Sequence, residues 1–473
     1  MQLSKKNKGR VGATLCLITA NLFTATGLQA QDIVDGTNNP SAPDSAESLN
    51  VYDQPASTPG TTTIDSAVLF YKEDGGRIQA IEPMVSLTHN TENDSVFSAK
   101  LTFDSLTGAT PNGAAPWKSS QTFISPTKQA NGDDENEGRT GASGGTIVID
   151  PITGQRTLEY TADAFMLPLD SGFVDQRTAL DLGFTTPLTS GTKLSLGLNG
   201  SHERDYNSFS GRASIAQNFN NKTTTLSLGV NYEHDVSKPF FGTPTPFSVM
   251  SGDQKGPSRN KNVLSLIAGV TQVMTRNWLL QFNYSYGSVT GYQTDPYKIL
   301  SVVDPATGAP QSYLYESRPE KRTRHAFYAG SKLALGSYVT ELSARYYHDS
   351  WGINSITANM SEHIPIGDLM YIEPGVRYYH QSGADFFTYY LPSNVALPLY
   401  ASADSRLDSF NAITLSLSGG YMINDQIELY AMVDAYRQSK AGQKDTLPGN
   451  NQDLKLYAGT NALSMMTGVK VKF

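Results

Sequence analysis

The stretch ALSMMTGVKVKF, residues 462–473, decides the fold. Leu463, Met465, Thr467, Val469, Val471 and Phe473 fall on one face of an extended chain, and Ser464, Met466, Gly468, Lys470 and Lys472 fall on the other. A period of two is the signature of a β-strand. One apolar face, one face carrying lysines and a final aromatic suit a wall with lipid on one side and water on the other. An edge strand of a soluble sandwich would alternate in the same way but would leave a free edge.

Upstream the pattern recurs. Leu194, Leu196 and Leu198 share a face, as do Thr224, Leu226, Leu228, Val230 and Tyr232, while Leu342, Ala344 and Tyr346 lie opposite Glu341, Ser343, Arg345 and Tyr347. The alternation predicts sixteen strands: 65–73, 77–90, 95–105, 176–188, 192–204, 207–219, 222–236, 261–275, 278–289, 324–335, 338–350, 353–365, 369–383, 408–421, 426–437 and 462–473. The connections then sort by length. TEND, TSG, NNK, TRN, GS, IGD and IND are short and fall on one side, whereas 106–175, 237–260, 290–323, 384–407 and 438–461 are long and fall on the other, together with the short DGG at 74–76, RDY near 205 and SWG near 351. Short periplasmic turns and long outer loops are the arrangement of a bacterial outer-membrane barrel. The predicted fold class is therefore all-β, a transmembrane antiparallel barrel over residues 65–473, with 106–175 as a long extracellular loop or plug.

The start of the chain fits export. Lys5, Lys6, Lys8 and Arg10 precede a mostly apolar run from Val11 to Thr26, and Leu28-Gln29-Ala30 offers a peptidase site, so residues 1–30 read as a signal peptide. Cys16, the only cysteine, lies within that leader, and without it the chain has no thiol for disulfides or zinc. Residues 31–64, rich in Asp, Asn, Ser, Pro and Thr, read as a flexible periplasmic lead-in. Removing the four basic residues of the leader takes the formal charge from −8 to −12, which argues against nucleic acid as a partner. Beyond the leader no run of 18 apolar residues remains and the mean hydropathy is −0.34, so only a barrel with a polar interior is compatible with a membrane. The 25 tyrosines, 19 phenylalanines and 3 tryptophans suit girdles at the two interfaces, with Tyr346, Tyr378 and His380 near outer strand ends and Phe184 and Phe219 near inner ones.

Several stretches near the outer strand ends carry a resemblance: FDSLTGATPNGAAPW (103–117), GVTQVMTRN (269–277), GYQTDPYK (291–298), ESRPEKRTRHAFYA (316–329), RYYHDSWGI (345–353) and RYYHQSGADFF (377–387). In these the chain, from about Asp65 onward, resembles a bacterial family known only as a domain of unknown function and expected to form outer-membrane barrels. The resemblance implies location and architecture, and it brings no catalytic residues or substrate.

The candidate functional residues are charges. Period two sends Glu341, Arg345, Glu373 and Arg377 into the lumen, where fixed charges select what permeates or pair to rigidify the wall. Asp104, Arg318, Arg322, Arg324, Asp349 and Asp385, with Asp295 and Glu316 nearby, form a candidate outer rim, and Phe473 a candidate signal for the barrel-assembly machinery. DDENE at Asp133–Glu137 matches no EF-hand and reads as a solvated loop, and no cofactor is expected. No HExxH, GxSxG, Walker or GxGxxG motif stands in the context its chemistry needs, and His380 with Ser382 nearby is an example of a pair that a barrel hydrolase could use. The expected role is a porin-like channel or ligand-selective transporter for small solutes in contact with outer-membrane lipid. The alternatives are a non-conducting scaffold for a periplasmic or surface protein and, third, a barrel-type hydrolase.

Overall fold

Alternation in sequence becomes alternation in exposure. In the strand Leu342, Ala344, Tyr346 and His348 are exposed while Glu341, Ser343, Arg345 and Tyr347 are half-buried and Asp349 is fully buried. The computed structural model describes residues 59–126, 146–149, 151, 156–239, 242–251, 255–442, 445–449 and 451–473. The leader, the lead-in up to residue 58, and DDENE lie outside the described residues.

Sixteen strands form one closed antiparallel barrel. They are β1 (Thr62–Glu73), β2 (Gln79–Asn90), β3 (Val96–Pro111), β4 (Leu169–Pro187), β5 (Thr192–Glu203), β6 (Tyr206–Phe219), β7 (Thr224–Ser237) and β8 (Arg259–Thr275). The second half holds β9 (Trp278–Gly291), β10 (Lys321–Leu335), β11 (Tyr338–Asp349), β12 (Asn354–Ile366), β13 (Met370–Gln381), β14 (Phe410–Met422), β15 (Ile427–Lys440) and β16 (Asn461–Lys472). Each predicted strand has its counterpart. Strands β1 and β16 close the ring, pairing from Thr63 with Lys472 to Glu73 with Ala462, and the Phe473 amide donates to the Thr62 carbonyl at 2.8 Å. Closure leaves no free edge, which a span through lipid requires.

The short turns are built for tightness. Gly336 and Gly367 take φ of 69° and 66°, the left-handed region that spares glycine any Cβ strain, in the turns before β11 and β13. Outward faces carry Leu226, Leu228, Leu266, Phe282, Leu342, Ile356, Leu415 and Leu417, all exposed, forming an apolar belt. A closed barrel with an apolar belt outside and charges inside is a transmembrane barrel of the outer membrane.

The boundaries differ most at β3 and β4, which run past the expected ends at 105 and 176 to Pro111 and back from Leu169. Their pairing shifts register between Gly108 and Ala109, so the hairpin bends beyond the wall rather than ending there. Strand β1 begins at Thr62, inside the expected lead-in, because Thr62 and Thr63 still find partners on β2 and β16.

The long outer connections are folded. Residues Ile299–Val303, Pro310–Tyr315 and Leu391–Pro392 make one small sheet, and Gln121–Pro126, Thr146–Ile149 and Arg156–Ala162 make another. They meet through Phe123, which is fully buried, stacks on Tyr160 at 5.1 Å and tilts against Tyr313 at 4.8 Å. Ala114, Met250, Ile299 and Tyr315 complete that cluster, so the loops share a core of their own above the barrel.

Candidate functional site

The lumen wall is ionic, and its pairs run between strands. Glu341 on β11 pairs with Lys332 on β10, and Glu373 on β13 accepts from His363 on β12 at 2.5 Å and from the Ser418 hydroxyl on β14 at 3.4 Å. Near the same inner end Lys470 on β16 lies 3.7 Å from Glu428 and 4.0 Å from Asp65, while the Tyr430 hydroxyl donates to Asp65 and the Tyr371 hydroxyl to Glu428. At mid-height Arg212 forks onto Asp181 at 2.6 and 2.8 Å. Two-point guanidinium–carboxylate contact fixes geometry as well as charge. Arg345 and Arg377 also face inward, as expected from the sequence, and the Arg345 guanidinium lies 5.8 Å from the Tyr347 ring. The four charges singled out in the sequence share the lumen, but Glu341 and Glu373 take their partners from the neighbouring strands.

The candidate rim residues separate into three groups. Asp104 on β3 pairs with Arg177 on β4. Arg322 on β10 holds Asp349 at 2.5 and 2.8 Å and lies 4.3 Å over the Trp351 ring, and Asp349 also accepts from the amides of Trp351 and Ile353 and from the Tyr347 hydroxyl. Asp385 sits beside that knot, its amide donating to the Trp351 carbonyl at 2.8 Å, and Arg324 is on the lumenal side of β10 against Gly287. Arg318 belongs to a third group, higher up, with Glu316.

That third group is a buried ionic lock between two connections. Arg318 reaches Glu316 at 2.6 Å and Asp404 at 2.6 Å, and Arg406 reaches Asp404 at 2.5 Å and Asp295 at 2.8 Å. Glu316 also accepts from the Asp295 amide at 2.7 Å and from Ser402. Lys298 donates to the Pro111 carbonyl at 2.6 Å, which ties in β3. Three carboxylates face three cations, and Glu316, Asp295, Asp404 and Lys298 are all buried. Burial would raise the Asp404 carboxyl, yet Arg406, Arg318 and Lys298 together hold it well below the usual carboxylate range. Burial dominates at Glu316 and pushes it up despite Arg318, and burial pushes Lys298 down against Asp295 and Asp404. Asp404, Arg406 and Lys298 escaped sequence reading because their loops have no periodicity to sort faces.

Among the described residues, the connection 292–320 reaches separate parts of the ring through Tyr297. Tyr297 packs on the apolar patch formed by Leu69 and Tyr71 of β1, Ala80 of β2, Phe410 of β14 and Tyr436 of β15, and its hydroxyl donates to Asp205 between β5 and β6. In the strand order the patch runs from β14 through β16 to β2, and Asp205 follows β5 farther round the ring. The connection 106–175, expected as a long extracellular loop or plug, joins the cap in its described residues through Asn112, Ala115 and Phe123, and Tyr297 of 292–320 reaches over the mouth beside it.

His380 and Ser382 do not form a pair. The His380 ring nitrogen Nδ1 meets Asn411 at 2.9 Å, whereas Ser382 bonds the Asn354 amide and the Gly352 carbonyl. Among the described residues no group of three or more His, Cys, Asp and Glu is arranged to hold a metal ion.

Comparison with solved structures finds β-barrels at low identity. The chain is similar to CdiB from Acinetobacter baumannii (8% identity, 87% of this chain, 60% of that one, TM-score 0.41), to a bacterial polysaccharide outer membrane secretin (7%, 88% and 100%, 0.42) and to the CymD monoaromatic hydrocarbon channel (7%, 88% and 89%, 0.36). It spans about 60% of the length of CdiB. No curated protein sequence matches it. A family model described as a protein of unknown function, DUF3570, matches residues 39–471, and the chain belongs to that family.

Proposed function

We propose that this barrel is a selective outer-membrane channel for small solutes, held closed from outside by its own loops. The observation that carries the reading is the state of the lumen wall below the cap. Asp181, Arg212, Lys470 and Asp65 retain 29, 24, 24 and 22% side-chain exposure, so the inner part of the barrel has room for water around fixed charges of both signs. Sixteen strands enclose enough width for an aqueous path unless loops fill it. Here loops fill the outer end through apolar clusters and through ion pairs, and the ion pairs are the contacts that a ligand's own charges are able to replace.

A non-conducting scaffold is the second reading, favoured by the completeness of the ionic lock, since fully paired buried charge also serves a permanently shut wall. Planar-bilayer recording separates them. Wild-type barrel is expected to conduct weakly and intermittently, and a variant with residues 293–319 replaced by a short Gly-Ser link is expected to conduct steadily. Two correctly folded, silent proteins would overturn the channel and favour the scaffold.

A further inference from the structure

Five of the seven histidines stand at the outer ends of strands: His202 on β5, His234 on β7, His325 on β10, His348 on β11 and His380 on β13. Each shares its strand face with the exposed apolar side chains of the lipid belt, as His234 does with Leu226, Leu228, Val230 and Tyr232. Three of them repeat one arrangement. In Tyr232-x-His234, Tyr346-x-His348 and Tyr378-x-His380, the tyrosine hydroxyl and histidine Nδ1 both meet the side-chain oxygen of one asparagine on the next strand, Asn262, Asn354 or Asn411, at 2.8 to 3.0 Å. His202 meets Asn207 in the same way at 2.5 Å, and His325 meets the Tyr284 hydroxyl at 2.9 Å.

The bracket has a chemical consequence. An amide oxygen only accepts, so Nδ1 in each asparagine bracket carries the proton and Nε2 is the nitrogen left to meet what lies outside the barrel. A neutral ring offers Nε2 as an acceptor to a sugar hydroxyl, and a protonated ring donates from it to a phosphate oxygen. The surroundings suit an anionic ligand such as phosphate. On the lipid-facing side of the sixteen strands the one carboxylate is Glu362, at the inner end and bonded to Thr340, while Lys72, Lys321 and Arg437 share the outer end with the histidines. Across the strand pairs the rings face Thr178 and Asn207 (His202), Phe209 and Asn262 (His234), Tyr286 and His348 (His325), His325 and Asn354 (His348), and Ile356 and Asn411 (His380), with no acid among them. The tyrosines just below mark the level where lipid tails give way to head groups.

We infer that this histidine belt binds the phosphate-bearing head groups of saccharide lipids in the outer leaflet. It is a surface of the outside of the wall and stands whether or not the lumen conducts. The test uses purified full-length barrel and native mass spectrometry after exposure to a phosphorylated diglucosamine lipid or its dephosphorylated form in neutral detergent. Wild type is expected to retain the phosphorylated lipid about tenfold better, the worth of one charge-assisted hydrogen bond. His234→Gln, His348→Gln and His380→Gln combined should erase that preference while the heat-modifiable folded band persists; should the triple variant not fold, each single one should lower it. Excess inorganic phosphate should not displace the lipid. Equal retention of both lipids by wild type, an unchanged preference in the folded variants, or full displacement by free phosphate would each overturn the inference.

Discussion

Asp404 and Glu316 are buried acids in one network with opposite electrostatic settings. Asp404 lies between two arginines that hold it ionised, whereas burial already favours the neutral form of Glu316. Removing charge should therefore be unequal in effect. Asp404→Asn leaves Arg318 and Arg406 short of a partner, at a cost of roughly 3 to 5 kcal/mol to the cap. Glu316→Gln keeps an oxygen for the Asp295 amide and should cost clearly less. Protease susceptibility of the outer loops on the intact barrel reads the difference, and equal sensitivity in the two variants would refute it. A second residue-scale prediction concerns Arg345 and Arg377. If they line the water path, changing either to Glu should move the reversal potential under a salt gradient toward cation selectivity and leave the unfolding midpoint nearly unchanged. A lowered midpoint without a selectivity change would mark them as structural.

At the scale of elements, β16 shows why the barrel could be read and the cap could not. Leu463 and Met465 are exposed to lipid while Ala462, Ser464 and Met466 are buried inside, so a two-residue period carries the whole assignment. The same logic placed Glu341 and Glu373 in the lumen. It could not place Arg406 or Lys298, whose loops are held by contacts between segments more than a hundred residues apart, such as Arg406 with Asp295. The extension of β3 to Pro111 was hidden for a related reason, because turn formers such as Gly108 also serve a bulge. Phe473 belongs here too. Its side chain is 65% exposed while its backbone bonds Thr62 on both sides of the peptide, so the aromatic ring contributes little to packing within the barrel. Replacing Phe473 with Asp, or deleting it, should lower the yield of heat-modifiable barrel in the outer membrane, with the purified remainder as stable as wild type. Undiminished yield of both variants would remove the assembly role.

For the whole molecule, orientation follows from seven short connections on one side and the folded cap on the other. A tag at Gly442 should be labelled on intact cells, and tags at Asn221 or Asn424 only after permeabilisation; surface labelling at Asn221 would invert the molecule. The closed ring was legible from strand count and its expected direction from loop length, whereas the closure of the mouth depends on tertiary contacts that no local pattern encodes. That closure has an electrical side. The lock divides into Asp295, Lys298, Glu316 and Arg318 on one connection and Asp404 and Arg406 on the other, and each half is formally neutral. Parting them displaces no net gating charge, so a voltage across the membrane has little leverage on the lock, since that leverage scales with the charge moved, about 2.3 kcal/mol per elementary charge per 100 mV. Openings of the wild-type barrel should then be as frequent at one holding potential as at another, and a partner or solute, rather than voltage, would set their rate.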